Sequence, residues 1–187
     1  LDYEDLDKYI NVVNETNDFL VSNIIPDFVS LSDLRFILTS LIREKISIKD
    51  ITYIFEKIND FAQETTKSDL IKKIRLSLSK QICKYNKNSE GIICAFEISD
   101  KTLDKFMPNF DESDDSIIRI DAGFAETLAE KISKKMVQFN IDNPKLLVPL
   151  EFRHLIFTLL SSYLNNITVL SREEIGCNAQ IEIISEI

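Results

Sequence analysis

The stretch Asn86-Lys87-Asn88-Ser89-Glu90-Gly91, followed by Ile92-Ile93-Cys94-Ala95-Phe96-Glu97-Ile98, decides the fold. A polar, turn-rich run ends a long region of helical periodicity, and a run of β-branched and aromatic residues begins. Apolar side chains on both faces of that run suit a strand covered on both sides. The chain therefore reads as two units, an all-helical one over residues 1–88 and a small α/β one over 89–187.

Working back from the break, Leu34, Ile37, Leu38 and Leu41 fall at i, i+3, i+4 and i+7, as do Ile51, Ile54, Phe55 and Ile58. Ile71, Ile74, Leu78 and Ile82 continue the pattern, and each set makes one apolar stripe on a helix. Three start signals repeat, Ser30-x-x-Asp33, Ser47-x-x-Asp50 and Thr66-x-x-Asp69, each a capping box with Asp in place of Glu or Gln. They predict helices beginning near 32, 48 and 67. A further amphipathic stretch, Tyr3 to Val13, follows a cap at Asp2, and a short helix before Pro26 completes a stack of about five.

Working forward, helical stripes return at Phe124, Leu128, Ile132 and Met136, and again from Phe152 to Tyr163. Short strand-like runs lie at Leu146 to Val148, Ile167 to Leu170 and Gln180 to Ile184. Strand, helix, strand with short links implies right-handed crossovers and a mixed or parallel sheet. The fold class expected is α+β overall, a helical array followed by a small α/β domain with a mixed sheet.

Composition removes several function classes. Lys plus Arg number 22 against 31 Asp plus Glu, a formal charge of −9. That balance repels phosphate backbones, no basic stripe offsets it, and no nucleic-acid partner is expected. Thirteen basic and fifteen acidic residues precede position 91, with nine and sixteen after it, so the second unit is the acidic one. Cys83, Cys94 and Cys177 form no C-x-x-C pair, which fits neither a disulfide framework nor a zinc site and suits a reducing compartment. No apolar run reaches the roughly 18 to 20 residues that cross a bilayer, so this stretch is expected to be soluble.

Chemistry-bearing patterns are few. His154, the single histidine, stands three residues after Glu151 on a helix, a spacing that allows an acid-base pair for a small hydrolase or transferase. No nucleophile elbow accompanies it, and a plain helix histidine is the favoured reading. Asp111, Ser113 and Asp115 imitate the start of a calcium loop. Ser116 replaces the required glycine and Ala122 the bidentate glutamate, leaving a solvated acidic loop. Gly91, Gly123 and Gly176 cannot build a phosphate-binding loop, and no cofactor is expected.

Three phrases in order resemble the cytoplasmic domain of the large export-gate subunit of type III secretion systems, the FlhA/SctV family. Leu41-Ile42-Arg43-Glu44-Lys45-Ile46-Ser47-Ile48-Lys49-Asp50 echoes L-L-x-E-x-V-x-I-R-D, and Ile54-Phe55-Glu56 is similar to the I-L-E that follows. Ile74-Arg75-Leu76-Ser77-Leu78-Ser79-Lys80-Gln81-Ile82 resembles V-R-x-x-L-x-R-x-I, and Val169-Leu170-Ser171-Arg172-Glu173-Glu174-Ile175 fits V-L-S-x-x-E-I, with the family's spacing among the three. Two departures stand out. Leu147-Val148-Pro149-Leu150 interrupts the family's apolar strand, after which Phe152-Arg153 keeps only the arginine. Ile117 to Ala122 is similar to the injectisome phrase F-L-x-L-D-P with alanine for proline, a lean toward an injectisome over a flagellum.

The resemblance implies the third and fourth subdomains of a nine-membered ring at the cytoplasmic face of the bacterial inner membrane, with the membrane helices and first two subdomains preceding Leu1. Its implied partners are other copies of the subunit, secretion chaperone-substrate complexes and export-apparatus proteins, with no catalysis of its own. The cluster Arg43, Glu44, Lys45, Lys49 and Asp50 would then sit at a helix-helix turn, either as a solvated capping corner or as an edge of the subunit contact. The Glu151/His154 enzyme and an unrelated helical adaptor that binds a partner helix remain the alternatives.

Overall fold

A computed structural model describes residues 1–62, 66–105 and 122–187. Two compact units, Leu1–Ile82 and Cys83–Ile187, make up the chain. The acidic run Asp111 to Asp115 lies outside the described residues, as does the segment from Ile117 up to Asp121.

The first unit is helical throughout its described part. Helix α1 (Tyr3–Ile24) starts on a complete capping box, in which Asp2 accepts from the Asp5 backbone and Asp5 reaches back to the Asp2 amide. It breaks at Asn17 (φ −159°, ψ 79°), whose side-chain oxygen accepts from the Leu20 amide at 3.2 Å and so caps the second segment. The expected short helix before Pro26 is this second segment. Helix α2 (Leu31–Arg43) has the Ser30/Asp33 box as the sequence predicts.

Helix α3 (Ile51–Phe61) starts later than the predicted 48. Asp50 is its N-cap, accepting from the Tyr53 amide at 3.3 Å, and Ser47 instead closes a tight turn onto the Lys49 amide. The reason is burial: Ile46 and Ile48, only 7% exposed each, need an extended backbone to turn inward from successive alternate positions. The stripe from Ile71 to Ile82 is shared by two helices, α4 (Lys67–Ser77) and α5 (Ser79–Asn86), parted at Leu78. Helix α3 packs on both α1 and α4, and the stripes read from the sequence are the buried residues.

The second unit carries strands β1 (Ile92–Glu97), β2 (Lys145–Leu147), β3 (Thr168–Leu170) and β4 (Gln180–Glu186). Their order is β3-β2-β1-β4, and each described pairing is parallel, which selects the parallel arrangement from the mixed or parallel sheet the links implied. The physical cause is that every link between strands returns through a helix: α6 (Asp100–Leu103) and α7 (Ala122–Phe139), then α8 (Leu150–Leu160), then α9 (Arg172–Ile175). Strand β2 ends at Leu147 because Pro149, with no N–H to give a ladder, caps α8 two residues on. Phe96, Leu146, Val169, Leu128, Ile132, Phe152, Ile156 and Leu160 form the core between sheet and helices.

Candidate functional site

The end of α2 is built by local chemistry. Arg43 is its last residue and Glu44 its C-cap. Lys45 turns into the left-handed region at φ 59°, its amide donates to the Ile42 carbonyl at 2.9 Å, and the Ile46 amide reaches the Leu41 carbonyl at 2.9 Å. That bond pair is the Schellman ending, and the two residues its outer bond joins, Leu41 and Ile46, are both buried.

The corner that follows is held from within its own unit. Glu44 turns inward to Arg75 of α4, Oε2 to Nη1 at 2.9 Å, with side chains 5% and 2% exposed. Gln81 Nε2 donates to the Ser47 carbonyl at 2.7 Å, and the Tyr53 hydroxyl donates to the Ser77 carbonyl. Of the five predicted cluster residues, Arg43, Lys45, Lys49 and Asp50 stay exposed on the corner. Glu44 is separated from them by its burial, and Asp50 also caps α3. The fixed backbone leaves a row of three cations and one carboxylate facing water.

In the second unit a matching pair lies deeper. Arg153 Nε of α8 stands 3.2 Å from Glu174 Oε1 of α9, with side chains 1% and 0% exposed. Glu174 is also the far half of a complete capping box with Ser171: Ser171 Oγ accepts from the Glu174 amide and Glu174 Oε2 accepts from the Ser171 amide, each at 3.2 Å. The phrase V-L-S-x-x-E-I thus supplies a strand end, a cap and the partner of a buried guanidinium. Neighbouring Arg172 binds Glu97 Oε1 through Nε at 3.1 Å and Nη2 at 2.6 Å, nearer the surface.

Sequence reading missed both buried pairs, although all four residues lie in the quoted phrases. The available signal was the placing of Arg75 and Arg153, each directly after an apolar stripe residue, Ile74 and Phe152. Of the Glu151/His154 alternative, Glu151 is exposed on the first turn of α8 and His154 is half-buried one turn on. No group of three or more His, Cys, Asp or Glu able to hold a metal occurs among the described residues. Cys83 is buried and donates toward the Ile175 carbonyl, Cys94 is half-buried and Cys177 exposed.

A cleft of about 620 Å³ opens at the carboxyl ends of the strands. Its floor is Ile98, Leu103, Leu147, Val148 and Pro149, and its rim carries Asp100, Lys101, Glu173 and Glu186 beside the Arg172–Glu97 pair.

Among the described residues, the helical unit holds the enclosed Glu44–Arg75 pair and the parallel α/β unit the enclosed Arg153–Glu174 pair. The chain belongs to the FHIPEP family, whose profile matches residues 1–180. It is 25% identical over 182 residues to the flagellar biosynthesis protein FlhA of Bacillus subtilis, covering 94% of this chain and 26% of that protein. Against FlhA of Yersinia enterocolitica it is 26% identical over 187 residues, covering 98% and 26%. The chain thus spans about a quarter of the length of these relatives.

Among solved structures, the C-terminal domain of InvA superposes with a TM-score of 0.85 at 19% identity, over 98% of this chain and 57% of that one. A nonameric SctV cytoplasmic assembly from EPEC gives 0.84 at 19% identity, over 98% and 56%. The Chlamydia pneumoniae CdsV chain, solved in complex with CdsO, gives 0.84 at 20% identity, over 99% and 54%. These likenesses establish the fold. No described helix is long and apolar enough to cross a membrane.

Proposed function

We propose that this chain is a cytoplasmic portion of a type III secretion export-gate subunit, one segment of a nine-membered ring that docks chaperone-substrate complexes and helps order protein export. The observation that carries this reading is the family match over residues 1–180, joined to a fold shared with a nonameric SctV assembly. Membrane spans belong, in this reading, to sequence outside the chain, and the ring lies at the cytoplasmic face of a bacterial inner membrane. Other copies of the subunit, chaperones with their cargo and further export-apparatus proteins are its partners, and its role is transport without catalysis.

The exposed corner of Arg43, Lys45, Lys49 and Asp50 is assigned to an edge of the subunit contact. Its support is physical: the Schellman ending, the Ser47–Gln81 bond and the Glu44–Arg75 pair fix the backbone, so the charges are presented without a large ordering penalty. Fixed charges of this kind set register and partner choice across a contact. The test is Arg43→Glu with Lys49→Glu. The isolated chain should keep its melting temperature, because exposed charges contribute little to folding. In the full-length parent, ring assembly and secretion should fall; normal rings and secretion would leave the corner as a solvated cap.

A further inference from the structure

We infer that the cleft at the carboxyl ends of the strands binds a short polypeptide segment carrying alternating basic and apolar side chains. This deepens the proposed function by naming the chemistry of one partner, and rests on the reading of the chain as a docking module.

The position is the first argument. In open parallel sheets the carboxyl ends of the strands diverge into the helix links, and ligands bind in the crevice left there. Here the lining comes from just past the ends of β1, β2 and β3 and from Glu186 of β4. The resulting space of about 620 Å³ is within the roughly 300–1,000 Å³ of ligand pockets.

The electrostatics supply the second. Glu97 and Glu186 are direct neighbours in the β1–β4 register, which places two carboxylates side by side. Like charges so placed repel. Arg172 offsets Glu97 through its two hydrogen bonds, whereas Glu186 has no ion pair among the described residues. Asp100 and Glu173 on the same rim also have none, and Lys101 is the single other cation there. An incoming lysine or arginine would relieve the repulsion at Glu186.

The floor supplies the third. Leu103 and Pro149 are half-buried and offer apolar contact between the charges, over Ile98, Leu147 and Val148, which close the cleft beneath them. A bare metal ion or a polyamine would leave that floor unused. A peptide with basic and apolar side chains fills both, and its main chain can lie along the crevice.

The test uses the 187-residue chain and a fluorescein-labelled Lys-Leu-Lys-Val-Lys-Leu peptide, followed by anisotropy and by amide chemical shifts. Binding should be saturable, weaken with salt, and shift the amides of Ile98 to Leu103 and of Leu147 to Val148. The pair Asp100→Lys and Glu186→Lys, with an unchanged melting temperature, should weaken it about tenfold or more, and a Glu-Leu-Glu-Val-Glu-Leu peptide should not bind. Affinity unchanged in the double variant, shifts that map elsewhere, or equal displacement by spermine without shifts on the floor would overturn the inference. The Arg43→Glu, Lys49→Glu chain should bind the peptide normally, so failure of the ring reading and failure of the cleft reading are separate results.

Discussion

Arg75 Nη1 donates to Glu44 Oε2 at 2.9 Å across thirty-one positions of chain, with both side chains almost wholly enclosed. The pair ties the end of α2 to α4. Removing one member strands the other charge in a low-dielectric site, which typically costs about 3–5 kcal/mol. Glu44→Ala is therefore expected to lower the stability of the helical unit by about that amount in urea titrations followed by circular dichroism. Glu44→Leu combined with Arg75→Met should be milder than either removal alone, since no charge remains to be desolvated. A wild-type midpoint for Glu44→Ala would refute the pair's structural role.

Lys45 holds a left-handed backbone, φ 59°, where glycine is the usual occupant. Relief of that strain, partly offset by the added freedom of a glycine in the unfolded chain, makes Lys45→Gly stabilising by about 1 kcal/mol. Lys45→Val should destabilise, because a branched Cβ tolerates this conformation poorly. Equal midpoints for the two variants would contradict the Schellman ending.

At the start of α4, the Thr66 hydroxyl and then the Lys72 ammonium hold the Asp69 carboxyl below its ordinary value near 3.9. A native pKa below the unfolded one means that ionised Asp69 favours the fold. That contribution is complete above about pH 4 and is lost as pH falls through the lowered native value. Carboxyl titration by NMR should show Asp69 titrating below the ordinary aspartate value, and Thr66→Val should bring it upward. No upward movement would remove the hydroxyl as the leading cause.

Residues 86–91 are proposed as the boundary between the subdomains, 1–88 and 89–187. Lys87 through Glu90 are exposed in a turn where Asn88 Oδ1 accepts from the Glu90 and Ile92 amides. Native-state trypsin should cut after Lys87 and leave a helical piece and an α/β piece, each resistant to further digestion. Digestion of both pieces at the rate of cleavage at Lys87 would show that neither stands by itself.

Helices and strands were legible in the sequence wherever their signals were local. Stripes such as Leu34–Leu41 and Ile51–Ile58 need only a period, and the caps at Asp2, Ser30 and Thr66 need only neighbours three residues on. Errors arose where burial outweighed a local signal: Ser47 offers a good cap, yet placing Ile46 and Ile48 inside moved the helix start to Ile51. The parallel sheet could be narrowed to two choices, because crossover lengths are visible in sequence while the strand that pairs with β1 is not. Of the candidate site, the exposed corner was legible as charge on a turn. The inward role of Glu44 was not, since its partner Arg75 is defined only by how α4 packs. The cleft escaped altogether, being made by the ends of strands and helix links that are distant in sequence.

The register of β1 has a consequence for the order of assembly. This strand is central, and its longest partnership joins Ile92–Glu97 to Gln180–Glu186 near the other end of the unit. Local contacts can organise the first unit at little loop-closure cost, whereas the sheet must bring distant segments together before its central pairing is rewarded. During synthesis β1 therefore emerges long before β4, with one flank of a strongly apolar strand still lacking its neighbour. For that interval the nascent chain carries an adhesive edge, a period when chaperoning matters most.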